Sequence, residues 1–176
     1  MFNLRLEPSQ RPATPRHAAG RRPERNSLIG LLSVEDILLD VDAPTPECAF
    51  RHIAASIGAR HGLREVDVVA GLSEREQLGS TALGQGVAIP HARLAGLTRA
   101  IVGFVRLRPA IAFDAPDGKP VACLIVLLVP ELATDAHLEL LAQVASMLTS
   151  RALREKLTAS TAAPEVLAAL TGWRST

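Results

Sequence analysis

Tyrosine is absent from this chain, aromatic residues of any kind make up 3% of it, and cysteine occurs twice. Each scarcity removes a class of function. Grooves for single-stranded nucleic acid stack bases on aromatic side chains, and one tryptophan with four phenylalanines offers little to build such a groove from. Cys48 and Cys123 lie far apart with no CxxC or CxxxH spacing, so neither a disulfide framework nor a zinc site is indicated. The longest apolar run, Val121 to Val129, is well short of the roughly 18 residues that cross a bilayer and suits a buried strand.

Several ligand motifs start and fail. The glycines of Gly79 to Gly84 have the spacing of a phosphate-binding P-loop, but Gln85-Gly86 stands where lysine and a hydroxyl residue are required. Gly84-Gln85-Gly86 continues to Ile89 without the third glycine of a dinucleotide fingerprint. His137-Leu138-Glu139 begins like a deaminase zinc motif with no later Pro-Cys-x-x-Cys, and no Gly-x-Ser-x-Gly elbow occurs. No cofactor and no metal are expected.

Charge is unevenly distributed. Residues 1–26 hold six arginines against Glu7 and Glu24, a balance of +4 that leaves −3 for the remainder of a chain whose formal charge is +1. With Pro8, Pro12, Pro15 and Pro23 and few apolar residues, this stretch cannot bury enough surface to offset its ordering entropy. The expected organisation is a disordered basic arm over residues 1–27 and one folded domain over 28–176. Contact with nucleic acid, an anionic membrane or an acidic partner is one reading of the arm; a leader without a role, or a start codon placed too far upstream, is the other. Nucleic acid is not an expected partner. The arm has no apolar segment of the secretory kind, so the expected location is cytoplasmic, with no membrane insertion.

Within the folded part, periodicity predicts a short turn and first strand up to Val41. A helix follows, capped by Thr45 with Pro46 at its first position and Ala49, Ile53 and Ile57 at helical spacing, and a second helix covers Arg64 to Gln77. Ala100–Leu107 and Val121–Val129 read as strands separated by Pro109, Pro116, Gly118 and Pro120. Asp135 to Leu148 is helical, with His137, Leu141, Val144 and Leu148 on one stripe, and Leu153–Leu157 and Pro164–Leu170 read as two short helices. A small apolar sheet with helices on both faces is an α/β sandwich.

The stretch from Gly79 to Arg93 is the chemically suggestive part. Val87-Ala88-Ile89 suits a buried extended segment, and Pro90, lacking an N–H, is expected to stop it, leaving His91 at the start of a loop or helix. Gly79, Gly84 and Gly86 permit close backbone approach, and Ser80 and Thr81 supply donors of the kind that hold phosphate oxygens. A histidine takes up a phosphoryl group as neutral imidazole, the majority form for an ordinary pKa of about 6.5. Such a site needs positioned donors more than a base. Arg75, with its planar fork, and His137, near a helix start where the dipole favours negative charge, are the candidate partners. His17, His52 and His61 have no such neighbours, and no role is assigned to them.

The words Glu74-Arg75-Glu76-Gln77-Leu78-Gly79-Ser80-Thr81, Val87-Ala88-Ile89-Pro90-His91, Ile111-Ala112-Phe113-Asp114 and His137-Leu138-Glu139-Leu140-Leu141 occur in one order along the chain. Together they resemble the enzyme IIA components of the bacterial phosphoenolpyruvate phosphotransferase system, in the branch of fructose, mannitol and nitrogen-regulatory proteins, over roughly residues 28 to 172. The resemblance implies a single-domain α/β sandwich with a small mixed sheet, His91 as the phosphorylated nucleophile, and Arg75 and His137 beside it. It implies a histidine phosphocarrier protein as phosphoryl donor, and as recipients either regulatory targets bound according to phosphorylation state or a separate enzyme IIB. The lack of an attached carrier or membrane domain favours the nitrogen-regulatory kind; a sugar-specific subunit and a binding module that transfers nothing are the alternatives. In two respects the chain departs from the pattern: Ala92-Arg93 stands where many relatives have Gly-Lys, which keeps a base after the histidine, and the basic arm is not a family feature.

Overall fold

The strand Val121–Pro130 organises the molecule. Its residues alternate between two apolar layers: Leu124, Val126 and Leu128 join one core, and Cys123, Ile125 and Leu127 join the other. Alternation over an unbroken apolar run means that both faces are covered, as the lack of polar residues in the strand requires. The computed structural model describes residues 28–132 and 135–174, so the basic arm and the disorder expected of it lie outside the described residues.

In chain order the elements are α1 (Leu28–Leu31), a 3₁₀ turn (Val34–Asp36), β1 (Ile37–Val41), α2 (Pro46–Ile53) running into a π-helical turn (Ala54–Gly58), and α3 (Glu65–Gln77). Then come β2 (Ala82–Gly84), β3 (Val87–Ala88), β4 (His91–Leu94), β5 (Ile101–Ile111), β6 (Val121–Pro130), α4 (Asp135–Thr149), α5 (Arg151–Ala159) and α6 (Ala163–Thr171). The mixed sheet has the order β1-β5-β6-β3-β2, with β4 also on β6. β1 is parallel to β5, β5 antiparallel to β6, β3 and β4 parallel to β6, and β2 antiparallel to β3. Helices α2 and α3 cover one face through Phe50, Ile53, Val68 and Leu72, and α1, α4, α5 and α6 cover the other through Leu28, Val144, Leu157 and Val166. This is the α/β sandwich expected from sequence.

The expected start of α2 is realised: the Thr45 hydroxyl accepts from the Cys48 N–H at 3.2 Å, with Pro46 in the first turn. β5 extends past its expected end at Leu107 to Ile111, through a cis Arg108-Pro109 bond and a register shift against β6. Two buried charges tie the layers together. Asp36 accepts from Ser33, Arg60 and His61 at 2.8, 2.9 and 2.9 Å, so His61 has a structural partner that its sequence neighbours do not disclose. Arg106 pairs with Asp40 at 2.9 Å and donates to the Thr158 and Ser160 carbonyls at the C-terminal end of α5.

The expectation that Pro90 stops the strand holds only for β3, which ends at Ala88 with residues 89–90 outside any strand, because pairing resumes at His91. β3 and β4 pair with β6 in one continuous register, Ala88 opposite Leu124 and His91 opposite Leu127, across the gap. Proline removes one donor but keeps its carbonyl, and Pro90 O accepts from Leu127 N–H at 3.0 Å. Parity therefore survives the break. Val87 and Ile89 face the α4 side, Ala88, Ala92 and Leu94 face the α3 side, and His91 with Arg93 projects opposite to Ala92. His91 is a strand residue, not the start of a loop or helix.

Gly103 of β5 is a close-approach glycine: a Cβ there would lie 2.4 Å from Ile57 Cδ1 and 3.3 Å from the Asp36 carbonyl oxygen. Ile57 sits in the π-helical turn and is fully buried. Gly103→Ala is expected to destabilise the fold by about 1–3 kcal/mol through overpacking. Ile57→Val deletes the clashing methyl, so the double variant should recover most of that loss in a urea-melt cycle. Additive effects would show that the contact is not the cause.

Candidate functional site

The close contact of α3 with β4 depends on a small residue in mid-helix. A Cβ on Gly71 would lie 3.1 Å from both Ala92 Cβ and Leu94 Cδ2, so the helix approaches the strand as closely as it does only because that Cβ is missing. Arg75 follows one turn later on the same face and reaches the first residue of β4. Its Nε–H donates to His91 Nε2 at 3.0 Å and its Nη1 to the Gly79 carbonyl at 2.9 Å. The other ring nitrogen, His91 Nδ1, lies 2.9 Å from the Ile89 carbonyl oxygen.

These two contacts define the tautomer. A guanidinium only donates and a carbonyl oxygen only accepts, so Nδ1 carries the proton and Nε2 carries the free lone pair. Burial lowers the pKa of His91 below the ordinary histidine value. The charges of Arg75 and Arg93 add to that effect, against the opposing Ile89 hydrogen bond and Glu76 charge. The ring is thus mainly neutral at pH 7, with its free lone pair on Nε2.

His137, third residue of α4, brings a second imidazole to within 6.0 Å of the first, centroid to centroid, the planes tilted by 52°. It is 7% exposed, and its Nδ1 is buried with no hydrogen-bond partner among the described residues. A polar atom left in this state invites a ligand or solvent partner. Burial is the main cause that lowers its pKa as well, followed by the His91 and Arg93 charges.

Both rings line an open recess of about 690 Å³ between the end of α3, β4 and the start of α4. Arg75, Arg93 and Glu74 supply its charges, and Leu78 and Leu138, 85% and 61% exposed, form an apolar rim. The arrangement sets a neutral imidazole nitrogen beside one held guanidinium, Arg75, and one exposed guanidinium, Arg93, in a shallow, partly apolar depression. It suits acceptance of a small anionic group delivered from outside.

The structure thus brings together His91, Arg75 and His137, from three distant segments. It does not bring Ser80 and Thr81 to the recess. Ser80 Oγ donates to the Phe113 carbonyl at 2.6 Å and accepts from Ala82 N–H at 3.1 Å, while Thr81 gives its N–H and hydroxyl to the Glu76 carboxylate at 3.0 and 2.6 Å. Their hydroxyls hold the loop after α3, as turn hydroxyls commonly do. Nor do Gly84 and Gly86 line the recess: they flank Gln85 in the β2–β3 turn, all three with positive φ, and the Gln85 N–H donates to Asp117 at 2.8 Å. The residues that sequence reasoning missed are Gly71 and Glu76. A glycine inside a predicted helix was the available signal for the first; the second stood in the motif word Glu74 to Thr81 without a role assigned to it.

Because both histidines have folded-state pKa values below the unfolded value of about 6.5, the unfolded chain takes up protons first as pH falls. Their contribution to stability is fully present above about pH 6.5 and is lost as pH drops from there towards the folded values. Urea midpoints should fall between about pH 7.5 and 5.5, and a His91→Gln/His137→Gln double variant should lose less over that interval. An equal loss in the variant would place the sensitivity elsewhere.

Comparison with known proteins gives a consistent set of likenesses. Residues 30–172 match the family described as "Phosphoenolpyruvate-dependent sugar phosphotransferase system, EIIA 2". A nitrogen regulatory protein of Bradyrhizobium diazoefficiens is 37% identical over 140 residues, 80% of this chain and 92% of that protein. One from Pseudomonas aeruginosa is 52% identical over 86 residues, 49% of this chain and only 56% of that protein's length. Among solved structures, the nitrogen regulatory protein IIA-Ntr of Neisseria meningitidis superposes with a TM-score of 0.77 at 43% identity, covering 81% of this chain and 98% of that one.

Proposed function

Since this chain belongs to the EIIA 2 family of the phosphoenolpyruvate-dependent sugar phosphotransferase system, we propose that it is a phosphohistidine carrier and regulator whose acceptor atom is Nε2 of His91. The observation that carries this reading is the pair of hydrogen bonds that assigns the lone pair to Nε2 and holds it beside Arg75. The donor is a histidine-phosphorylated carrier protein. The output is of the nitrogen-regulatory kind, partner binding that depends on phosphorylation state, with onward transfer to an enzyme IIB as the sugar-branch counterpart. No helix among the described residues is long and apolar enough to cross a membrane, in keeping with a cytoplasmic carrier.

The transfer needs little from the protein beyond placement. The donor's P–N bond breaks and its electron pair stays on the donor nitrogen, while the Nε2 lone pair of His91 forms the new P–N bond. Nδ1 keeps its proton, held by the Ile89 carbonyl. Once Nε2 is bonded to phosphorus it no longer accepts from Arg75, so that Nε–H turns to a phosphoryl oxygen a bond length away. A charge-assisted hydrogen bond of this kind contributes roughly 1.5–3 kcal/mol. His137 stands on the other side with an unsatisfied nitrogen.

The test is to incubate the protein with phosphoenolpyruvate, enzyme I and the histidine phosphocarrier protein. One added phosphoryl mass, acid-labile and alkali-stable and mapped to the peptide of His91, is the expected result. An active donor that leaves the mass unchanged would sink the carrier reading and leave a binding module.

A further inference from the structure

Arg75 accounts for one cation at the recess, and it is already committed to His91 and to the Gly79 carbonyl. The phosphoryl group brings three oxygens and a charge of about −1.5 to −2 into a recess whose wall also includes Glu74. A second positive group is therefore wanted on the side of His91 that Arg75 does not occupy.

β4 supplies one. His91 and Arg93 are two residues apart in the strand, and alternation places both opposite the buried Ala92 and Leu94. Arg93 is exposed, lines the same recess as both histidines, and forms no ion pair or side-chain hydrogen bond among the described residues. Among the described residues, the arginines that pair with a carboxylate lie elsewhere in the fold. The charge of Arg93 also reaches both rings, acting on His91 and on His137 in the same direction. An uncommitted guanidinium beside His91 can turn to an incoming anion and loses no internal bond in doing so.

We propose that Arg93 is a second phosphoryl-holding residue, which binds oxygens of the group on His91 Nε2 from the side opposite Arg75. The inference rests on the phosphocarrier reading and adds a residue to it. In the transfer Arg93 gives and takes no proton: its N–H groups exchange water for phosphoryl oxygens as the donor's P–N bond breaks and the His91 bond forms. Since the interaction exists only with the phosphoryl group present, it favours the phosphorylated form at equilibrium as well as the transition state.

The equilibrium is the discriminating readout, because a residue that only docks the donor alters rates and KM but leaves the final partition of phosphoryl between donor and acceptor unchanged. The full chain, Arg93→Gln and Arg93→Lys are each equilibrated with phosphorylated histidine phosphocarrier protein, and intact masses give the partition. Arg93→Gln is expected to shift it about tenfold towards the donor and to lower kcat with little change in KM, while Arg93→Lys, which keeps the charge, recovers most of the loss. A partition within twofold of wild type in Arg93→Gln, or an effect on KM alone, overturns the proposal while leaving the carrier reading intact. A wild-type chain that takes no label at His91 overturns both.

Discussion

His91→Ala is expected to abolish phosphoryl uptake outright, with no acid-labile, alkali-stable mass at any donor concentration, while the protein remains folded. The loss is total because no other side chain at the recess provides a free lone pair in a comparable setting. His137 is 7% exposed with a buried Nδ1, and among the described residues it has no arginine bonded to a ring nitrogen as His91 has, so no acceptor of equal standing remains. The fold should tolerate the change. The ring of His91 makes one bond to a partly exposed arginine and one to a local carbonyl, and the register of β4 on β6 rests on backbone pairing. A melting transition close to wild type alongside zero uptake is the expected pair of results. Undiminished uptake by His91→Ala would move the acceptor to another residue and overturn the site.

Arg75→Ala should lower the single-turnover rate of phosphoryl transfer by about 10²-fold, the scale of losing one preorganised donor from a charge-developing site. Two consequences separate this from general damage to the site. Removing the guanidinium takes away one of the positive charges that depress the pKa of His91, so the acid limb of the rate profile should move to higher pH than in wild type. Arg75→Lys should rescue only in part, since a point charge cannot serve the phosphoryl group and the Gly79 carbonyl in the geometry that the planar fork allows. A rate within tenfold of wild type in Arg75→Ala would mean that the hydrogen bond to Nε2 positions nothing that matters to transfer.

The parts of this site that were legible in the sequence are those governed by short-range rules. The spacing of His137, Leu141, Val144 and Leu148 identified a helix and its buried stripe; Thr45-Pro46-Glu47 marked a helix start that the structure caps as expected. Val121 to Val129 announced a strand covered on both faces through the absence of polar alternation. The order of motif words carried the association of His91 with Arg75 and His137, something no periodicity contains.

What misled was the reading of single residue types without their partners. Proline ends β3 but not the pairing, because one missing N–H in a parallel pair removes a single bond and the carbonyl of Pro90 keeps the register. Ser80 and Thr81 have the chemistry of a phosphate cradle, but a hydroxyl in a turn satisfies whichever neighbour folding brings near. Here those neighbours are the Phe113 carbonyl and the Glu76 carboxylate.

By itself, the sequence determined the class of fold and singled out Arg75, His91 and His137, in order along the chain, as the candidate site residues. The fold class follows from side-chain volume, hydrophobic period and local capping, all of which act within a few residues, and the candidate residues from the resemblance that the motif words carry. Only the tertiary structure decided which nitrogen of His91 is free, because that depends on a guanidinium from α3 and a carbonyl from the preceding strand converging on one ring. It also decided that Arg93 shares the recess while Ser80 and Thr81 do not. Strand parity and the close approach of α3 at Gly71 set those positions, and both are outcomes of packing among segments that the chain holds far apart.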